Sequence, residues 1–244
     1  MLGLTPSGLR VIVTGATGGI GRALAETLLA CDCAVAACDV PGAPVGDVTT
    51  VTATFDVRDP EAVRRGVADA IESLGGCDAV IANAGIVDTI HRAERFSDEE
   101  WRNDIETNLS GAFWVVQAAF EALLASGDGR IVLISSVAAE VGLPGQVAYG
   151  ASKAGIVGMA RTLAAEWGPR GIRCNAVMPG MIATPKVRAM PAPARDGAMT
   201  QIPLGRFGEP AEVAGVAAFL LSPAAAYING TVLRVDGGFG LSMR

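Results

Sequence analysis

Apolar runs and longer amphipathic stretches alternate along this chain from end to end. Continuous runs rich in Val, Ile, Leu, Ala and Cys fall at 10–14, 33–38, 51–55, 78–82, 130–135, 172–177 and 231–235. Helix-like segments lie between most of them, at 19–30, 60–73, 98–125, 149–168 and 210–221. Such strands, apolar throughout and alternating with helices, predict an α/β protein with a parallel sheet covered on both faces. Local signals mark two of the helix starts. Ser97-Asp98-Glu99-Glu100 reads as a capping box, and Asp59-Pro60 as an N-cap followed by proline at the first helical position. Two stretches break the pattern. Val40-Pro41-Gly42-Ala43-Pro44-Val45-Gly46-Asp47 leaves little room for a crossover helix and predicts a loop or a single turn. Pro185 to Gln201, with Met190, Pro191, Pro193 and Met199, predicts a mobile flap at about 185–201 rather than a core element. Neither an internal repeat nor a linker is visible, so residues 1–244 read as a single domain.

Composition narrows the function classes. A chain of 244 residues, 50% of them hydrophobic, can bury a large core in one domain. The net charge of −6 and the lack of a Lys/Arg cluster argue against a nucleic-acid partner, so a phosphate-bearing ligand would be held mainly by backbone dipoles. No segment approaches the ~20 apolar residues of a membrane span. The longest candidate, Phe113 to Ala125, is interrupted by Gln117 and Glu121. The N-terminus lacks the basic-then-apolar layout of a signal peptide, which predicts a cytoplasmic protein with no membrane partner. Cys31, Cys33, Cys38, Cys77 and Cys174 include no CxxC pair and no nearby His, so they are read as small buried residues, and no metal is expected.

The first strand–helix junction carries the strongest chemical signal. Thr14-Gly15-Ala16-Thr17-Gly18-Gly19-Ile20-Gly21 separates the apolar run before it from the amphipathic stretch Arg22 to Ala30. A glycine turn at such a junction lets backbone N–H groups and a positive helix N-terminus approach a pyrophosphate. Asp39 follows Gly21 by 18 residues, near the spacing expected of an acid that binds ribose hydroxyls. Further along, Tyr149 and Lys153 stand at i and i+4 and share one helix face. A lysine so placed favours the phenolate and lowers the phenol pKa from about 10, preparing Tyr149 to exchange a proton with an alcohol or carbonyl. Ser135-Ser136 ends one buried strand and Asn83-Ala84-Gly85 another, on the sheet edge where ligands of open α/β sheets bind. Asn108 lies within the long helical stretch that begins near Asp98.

Together these residues resemble the classical short-chain dehydrogenase/reductase family over nearly the whole chain. Thr14, Gly15, Gly19 and Gly21 meet its TGxxxGxG pattern, Asn83, Ala84 and Gly85 its NAG motif, and Asn108, Ser136, Tyr149 and Lys153 its catalytic tetrad. Pro179-Gly180 followed by Thr184 looks like its nicotinamide-side motif, and Val235-Asp236-Gly237-Gly238 like its C-terminal end. The resemblance implies a Rossmann-type doubly wound parallel sheet flanked by helices on both faces. It also implies roles: Tyr149 as general acid/base, Ser136 as hydrogen-bond donor to the substrate oxygen, and Lys153 on the nicotinamide ribose. Asn108 would hold a helix distortion and a water that extends a proton relay from Lys153. The cofactor set is then Gly15, Thr17, Gly19, Ile20, Gly21, Asp39, Asp56, Val57, Asn83, Ala84, Gly85, Tyr149, Lys153, Pro179, Gly180, Ile182 and Thr184, with Asp56-Val57 on the adenine.

Asp39 would accept hydrogen bonds from ribose hydroxyls and repel a 2′-phosphate, and Gly18 stands where many NADP-dependent relatives carry Arg; the expected cofactor is NAD(H) rather than NADP(H). By analogy the substrate pocket draws on Val87, Val137, Ala138, Ala139, Glu140, Val141, Met181 and the flap. These are mostly apolar or small and suit a hydrophobic secondary alcohol or ketone. Glu140, Arg188, Arg195 and His91 are read as surface charges. A 3-oxoacyl-thioester reductase is the main alternative, a polyol dehydrogenase a further one, and a catalytically dead nucleotide sensor the reading from another class. Trp114, Val115, Ala118, Ala119, Met159, Leu163 and Trp167 give two helices a second apolar face, and the family implies a homotetramer assembled through such helices and the C-terminal strand. The tail Phe239 to Arg244 is apolar enough to close over a neighbouring subunit's pocket.

Overall fold

The computed structural model describes residues 3–46 and 49–241. Seven strands form one parallel sheet: β1 (Arg10–Thr14), β2 (Ala34–Asp39), β3 (Val51–Thr54), β4 (Ala79–Ala82), β5 (Gly129–Ile134), β6 (Ile172–Pro179) and β7 (Val232–Val235). Their order is β3-β2-β1-β4-β5-β6-β7, every neighbouring pair being parallel. The chain starts at the centre, winds outward to β3, then returns to place β4 on the other side of β1. The crevice beyond the carboxyl ends of β1 and β4 is therefore a topological switch point, the position where open α/β sheets bind ligands.

The continuous apolar strands are explained by what covers them. Val11 and Val13 pack on one face against α1 (Gly19–Ala30) and α9 (Pro210–Leu221), through Leu24, Leu28, Val213 and Leu220. Ile12 and Val80 face the other way, into a core built from α2 (Pro60–Leu74), α4 (Gly111–Ala118), α5 (Phe120–Ala125) and α6 (Val147–Trp167). Both helix-start signals are realised. Asp59 accepts from the backbone N–H groups of Glu61 and Ala62, and Ser97 and Glu100 exchange capping-box bonds at the start of α3 (Asp98–Ile105).

Several expectations need correction. The stretch 98–125 is not one helix. It divides into α3, a π-turn over Glu106–Ser110, α4 and α5, with Ala119 between the last two. The π-turn is pinned by Asn108, whose amide accepts from Ile86 N–H at 2.7 Å and donates to its carbonyl at 2.9 Å. The 185–201 segment contains two short helices, α7 (Pro185–Arg188) and α8 (Ala192–Met199), neither with a buried residue. Proline fits there because it stands in the first turn of each, where its missing N–H costs nothing. Of the residues given as a second apolar helix face, Val115, Ala119 and Leu163 are buried in the chain's own core, whereas Trp114, Ala118, Met159 and Trp167 are only half-buried against it. Trp167 meets Phe120 with tilted rings, 4.6 Å between centres. Phe239 is buried against its own chain with Val137, Met178 and Ile202. Asp47 of the irregular loop and the last three residues of the tail lie outside the described residues. Desolvation pushes the Cys38, Cys77 and Cys174 thiols up to about 12, which leaves them unreactive packing groups.

Candidate active site

A cleft of about 640 Å³ opens at the switch point. Its floor is the glycine turn. Gly15 takes a positive φ of 64°, and a Cβ at Gly21 would stand 1.9 Å from the Gly15 carbonyl oxygen, so neither position accepts a side chain without rebuilding the turn. The turn is stitched to β4. Thr14 Oγ accepts from the N–H groups of Asn83 and Ala84, both at 3.1 Å, while the Asn83 amide donates to the carbonyls of Thr14 and Gly15. Gly18 caps α1 without any side-chain hydrogen bond, and no acid occupies the first turn. The exposed N–H groups of that turn thus meet the cleft with their partial positive charge unopposed. On the far wall Thr184 caps α7, and a Cβ at Gly19 would lie 2.9 Å from the Thr184 side chain. This cradle fits a pyrophosphate: it is narrow, glycine-floored and rich in unengaged N–H groups.

Asp39 ends β2 at the rim. One carboxylate oxygen accepts from Thr17 N–H at 2.9 Å and Thr17 Oγ at 2.7 Å, and the other accepts from Val40 N–H at 2.9 Å. The acid is locked over the turn with acceptor capacity left on the second oxygen. Asp56 also lines the cleft, but its carboxylate is bound by Arg58, which holds it below the usual carboxylate range. Arg58 reaches on to Asn103 Oδ1 at 2.8 Å. Val57 is buried against Gly111. Arg58 was not foreseen; it is the cation nearest the acidic end of the cleft, and Asp56 neutralises it.

At the opposite end, Ser136, Tyr149 and Lys153 come together. Ser136 is extended, with its Oγ accepting from Ala138 N–H at 3.2 Å. Lys153 is buried, its Nζ 5.8 Å from the centre of the Tyr149 ring and bonded to the Ile134 carbonyl at 3.0 Å. No carboxylate pairs with it among the described residues. Burial pushes the Lys153 ammonium down to about 8. The phenol departs from expectation. Desolvation raises Tyr149 above its ordinary value, a hydrogen bond to Ser136 opposes this, and the Asp104 carboxyl adds to the rise. The sequence shows the lysine one turn away but not the depth at which the phenol sits, and depth decides the direction.

Every residue expected to hold the cofactor lines this one cleft: Gly15, Thr17, Gly19, Ile20, Gly21, Asp39, Asp56, Val57, Asn83, Ala84, Gly85, Tyr149, Lys153, Pro179, Gly180, Ile182 and Thr184. Asn108 stands behind the wall, 1% exposed. A Cβ at Gly85 would meet its Oδ1 at 2.9 Å and Lys153 Nζ at 3.3 Å, so Gly85 lets these two approach. The expected substrate-pocket residues divide. Val87 lines the cleft, whereas Ala138, Ala139, Glu140 and Val141 line a second hollow of about 650 Å³ beside α6. Glu140 is paired with Arg234 at 3.0 Å rather than free in solvent, and Arg188 is held by Glu209. Lys186, unforeseen, lines the mouth of the cleft and bonds to the Val87 carbonyl and to Asp88. Among the described residues there is no cluster of side chains able to hold a metal, and no helix long and apolar enough to cross a membrane.

A pyrophosphate cradle at the switch point of a doubly wound sheet, with a phenol and an ammonium at its far end, defines a nicotinamide-dependent oxidoreductase. Comparison with known proteins makes the assignment specific. The family model described as enoyl-(acyl carrier protein) reductase matches residues 15–240. A (3R)-3-hydroxyacyl-CoA dehydrogenase of Mus musculus is 41% identical over 252 residues, covering 93% of this chain and 94% of its own. The 3-oxoacyl-[acyl-carrier-protein] reductase FabG of Escherichia coli is 39% identical over 233 residues, covering 93% and 95%. The crystal structure of levodione reductase superposes with a TM-score of 0.89 at 33% identity, over 96% of this chain and 98% of that one. The chain belongs to the classical short-chain dehydrogenase/reductase family.

Proposed function

We propose that this protein is an NAD(H)-dependent oxidoreductase that interconverts a secondary alcohol and a ketone. The observation that carries the reading is the meeting of Ser136, Tyr149 and a buried, carboxylate-free Lys153 at one end of a dinucleotide-shaped cleft. A nicotinamide held there would supply or accept the hydride. Tyr149 gives its proton to the ketone oxygen, or takes one from the alcohol. Ser136 hydrogen-bonds the same oxygen and stabilises the charge that develops there. Lys153, with donors left over after its bond to Ile134, holds the nicotinamide ribose and keeps positive charge behind the phenol. Asn108 keeps the π-turn and the Gly85–Ile86 backbone beside Lys153, where a water would extend the proton path. The assay is nicotinamide absorbance with purified protein, NAD⁺ or NADP⁺, and a panel of secondary alcohols, 3-hydroxyacyl thioesters and polyols. Turnover of hydrophobic secondary alcohols with NAD⁺ supports the reading, and turnover with NADP⁺ alone overturns the cofactor assignment.

The NAD preference is attributed to Asp39. A carboxylate about 4 Å from a 2′-phosphate costs up to about 4 kcal/mol at an effective dielectric of 20. Its oxygens are held against Thr17 and Val40, so it does not swing away easily. Asp39→Ala is expected to lower kcat/KM for NAD⁺ about tenfold or more and to admit NADP⁺ in part. An unchanged ratio of the two specificity constants refutes the assignment.

A second reading is favoured by the relatives at 39–41% identity, whose names specify 3-hydroxyacyl-CoA and 3-oxoacyl carrier-protein substrates. A 3-hydroxyacyl thioester is itself a secondary alcohol, so the same residues would serve, and the thioester arm of the panel decides. We also propose a homotetramer. Trp101, Phe113 and Val147 are large apolar side chains exposed on α3, α4 and α6, the helices expected to meet another copy. Light scattering in solution gives the mass that tests this.

A further inference from the structure

Asp104 carries, among the described residues, the one carboxylate that is both enclosed and unpartnered. The residue is 0% exposed and neither of its oxygens has a hydrogen-bond partner. It lies on a ladder of polar side chains along α3 and the π-turn. Glu100, one turn earlier, binds Ser97 and pairs with His91 Nδ1 at 3.2 Å. Asn108, one turn later, grips both polar groups of Ile86. Asp104 stands between them at helical spacing and grips nothing. The titratable and charged groups around it come from four elements. Asp88 lies on the segment after β4, Glu100 on α3 itself, Lys186 on α7, and Tyr149 on α6, against which α3 packs.

A buried carboxyl without a donor is costly once charged, and an apolar side chain would fill the same space without that cost. Burial accordingly pushes Asp104 above the usual carboxylate range, with Asp88 and Glu100 adding to the effect and Lys186 opposing it. Its charge in turn bears on the phenol of Tyr149. We propose that Asp104 is a proton-binding positioning residue, one turn before Asn108 and beside the Tyr149 helix, whose charge governs how readily the Tyr149 phenol gives up its proton. The inference rests on the reading of Tyr149 as the acid/base group. While Asp104 holds its proton, the phenol feels no charge from that side. Once the carboxyl is ionised, a buried negative charge stands near the phenol and holds phenolate formation back to higher pH. The two protons are then lost in sequence, as a coupled pair.

The chain holds two tyrosines, and Tyr227 is fully exposed. In a Tyr227→Phe background, ultraviolet titration of phenolate therefore reports Tyr149 alone, with neither substrate nor cofactor present. Adding Asp104→Asn, which keeps the shape and removes the proton site, is expected to move that titration to lower pH by on the order of one unit. An unmoved titration overturns the proposal. Urea unfolding across pH gives a second readout. The folded protein keeps the Asp104 proton above the ordinary value of about 3.9, so the parent loses stability as pH rises from there through the folded value. The Asn variant gains on it across that window, and a flat difference overturns the proposal. If the Asn variant does not fold, Asp104→Leu carries the same expectations. A shifted phenol titration in a protein that turns over no alcohol leaves the coupling standing and removes only the catalytic reading of Tyr149.

Discussion

Tyr149→Phe is expected to lower turnover by ~10²–10⁴-fold, the range that a positioned acid/base group contributes, while NADH binding stays close to that of the parent. The substitution removes one oxygen and leaves the ring beside Lys153, so the cleft keeps its shape. The pyrophosphate cradle and Asp39 lie at the other end and are untouched. The two readouts must therefore separate: fluorescence titration with NADH reports an intact cleft, and the absorbance assay reports the missing proton donor. If turnover survives, Tyr149 is not the acid/base group. If NADH binding is lost as well, the Tyr149 hydroxyl is itself a main cofactor contact and its role in proton transfer is not separated by this variant.

Gly21→Ala is expected to be the most damaging single methyl group that can be added to the turn. The new Cβ would lie 1.9 Å from the Gly15 carbonyl oxygen and 2.8 Å from the Asn83 amide nitrogen. Neither neighbour is the far end of a flexible chain. The carbonyl is backbone, and the amide is committed to Thr14 and Gly15. Relief requires the turn to open away from β4, which breaks those bonds. Overpacking of this kind costs about 3 kcal/mol, and for a chain of this size that lowers Tm by about 6–12 °C. Cofactor affinity falls with it, because the N–H groups of the cradle move. Gly197→Ala is the control: α8 leaves open space there, and the helix gains from alanine. Thermal unfolding of both variants tests the argument, and equal Tm values would refute it.

Much of the fold and of the cleft is legible in the sequence. The strands were legible because burial on both faces makes them apolar throughout, and β1 begins and ends where the pattern places it. The cleft was legible because glycine, Asp39 and the Tyr149/Lys153 pair are constrained by local geometry, which sequence spacing records. What failed to show depends on contacts between distant segments. A helix distortion at Asn108 is implied by the resemblance alone; the contact that holds the π-turn, Asn108 on Ile86, joins segments 22 residues apart and leaves no local signal within 98–125. Arg58 and Lys186 line the cleft with partners, Asn103 and Asp88, that lie 45 and 98 positions away in the chain. Asp104 reads as one polar residue in the run Trp101-Arg102-Asn103-Asp104, and only packing reveals that it is enclosed.

The clasp between Thr14 and Asn83 joins positions 69 residues apart in the chain. The floor of the cleft therefore does not exist in any short fragment, nor early in folding, before the β1–β4 pair has closed. Contacts of such sequence separation form slowly because loop closure must precede any reward. A bound dinucleotide has nothing to grip in the nascent chain or in a partly folded one. Its stabilising effect then falls on the rate of unfolding and leaves the rate of folding alone, so the ligand acts on the lifetime of the native state.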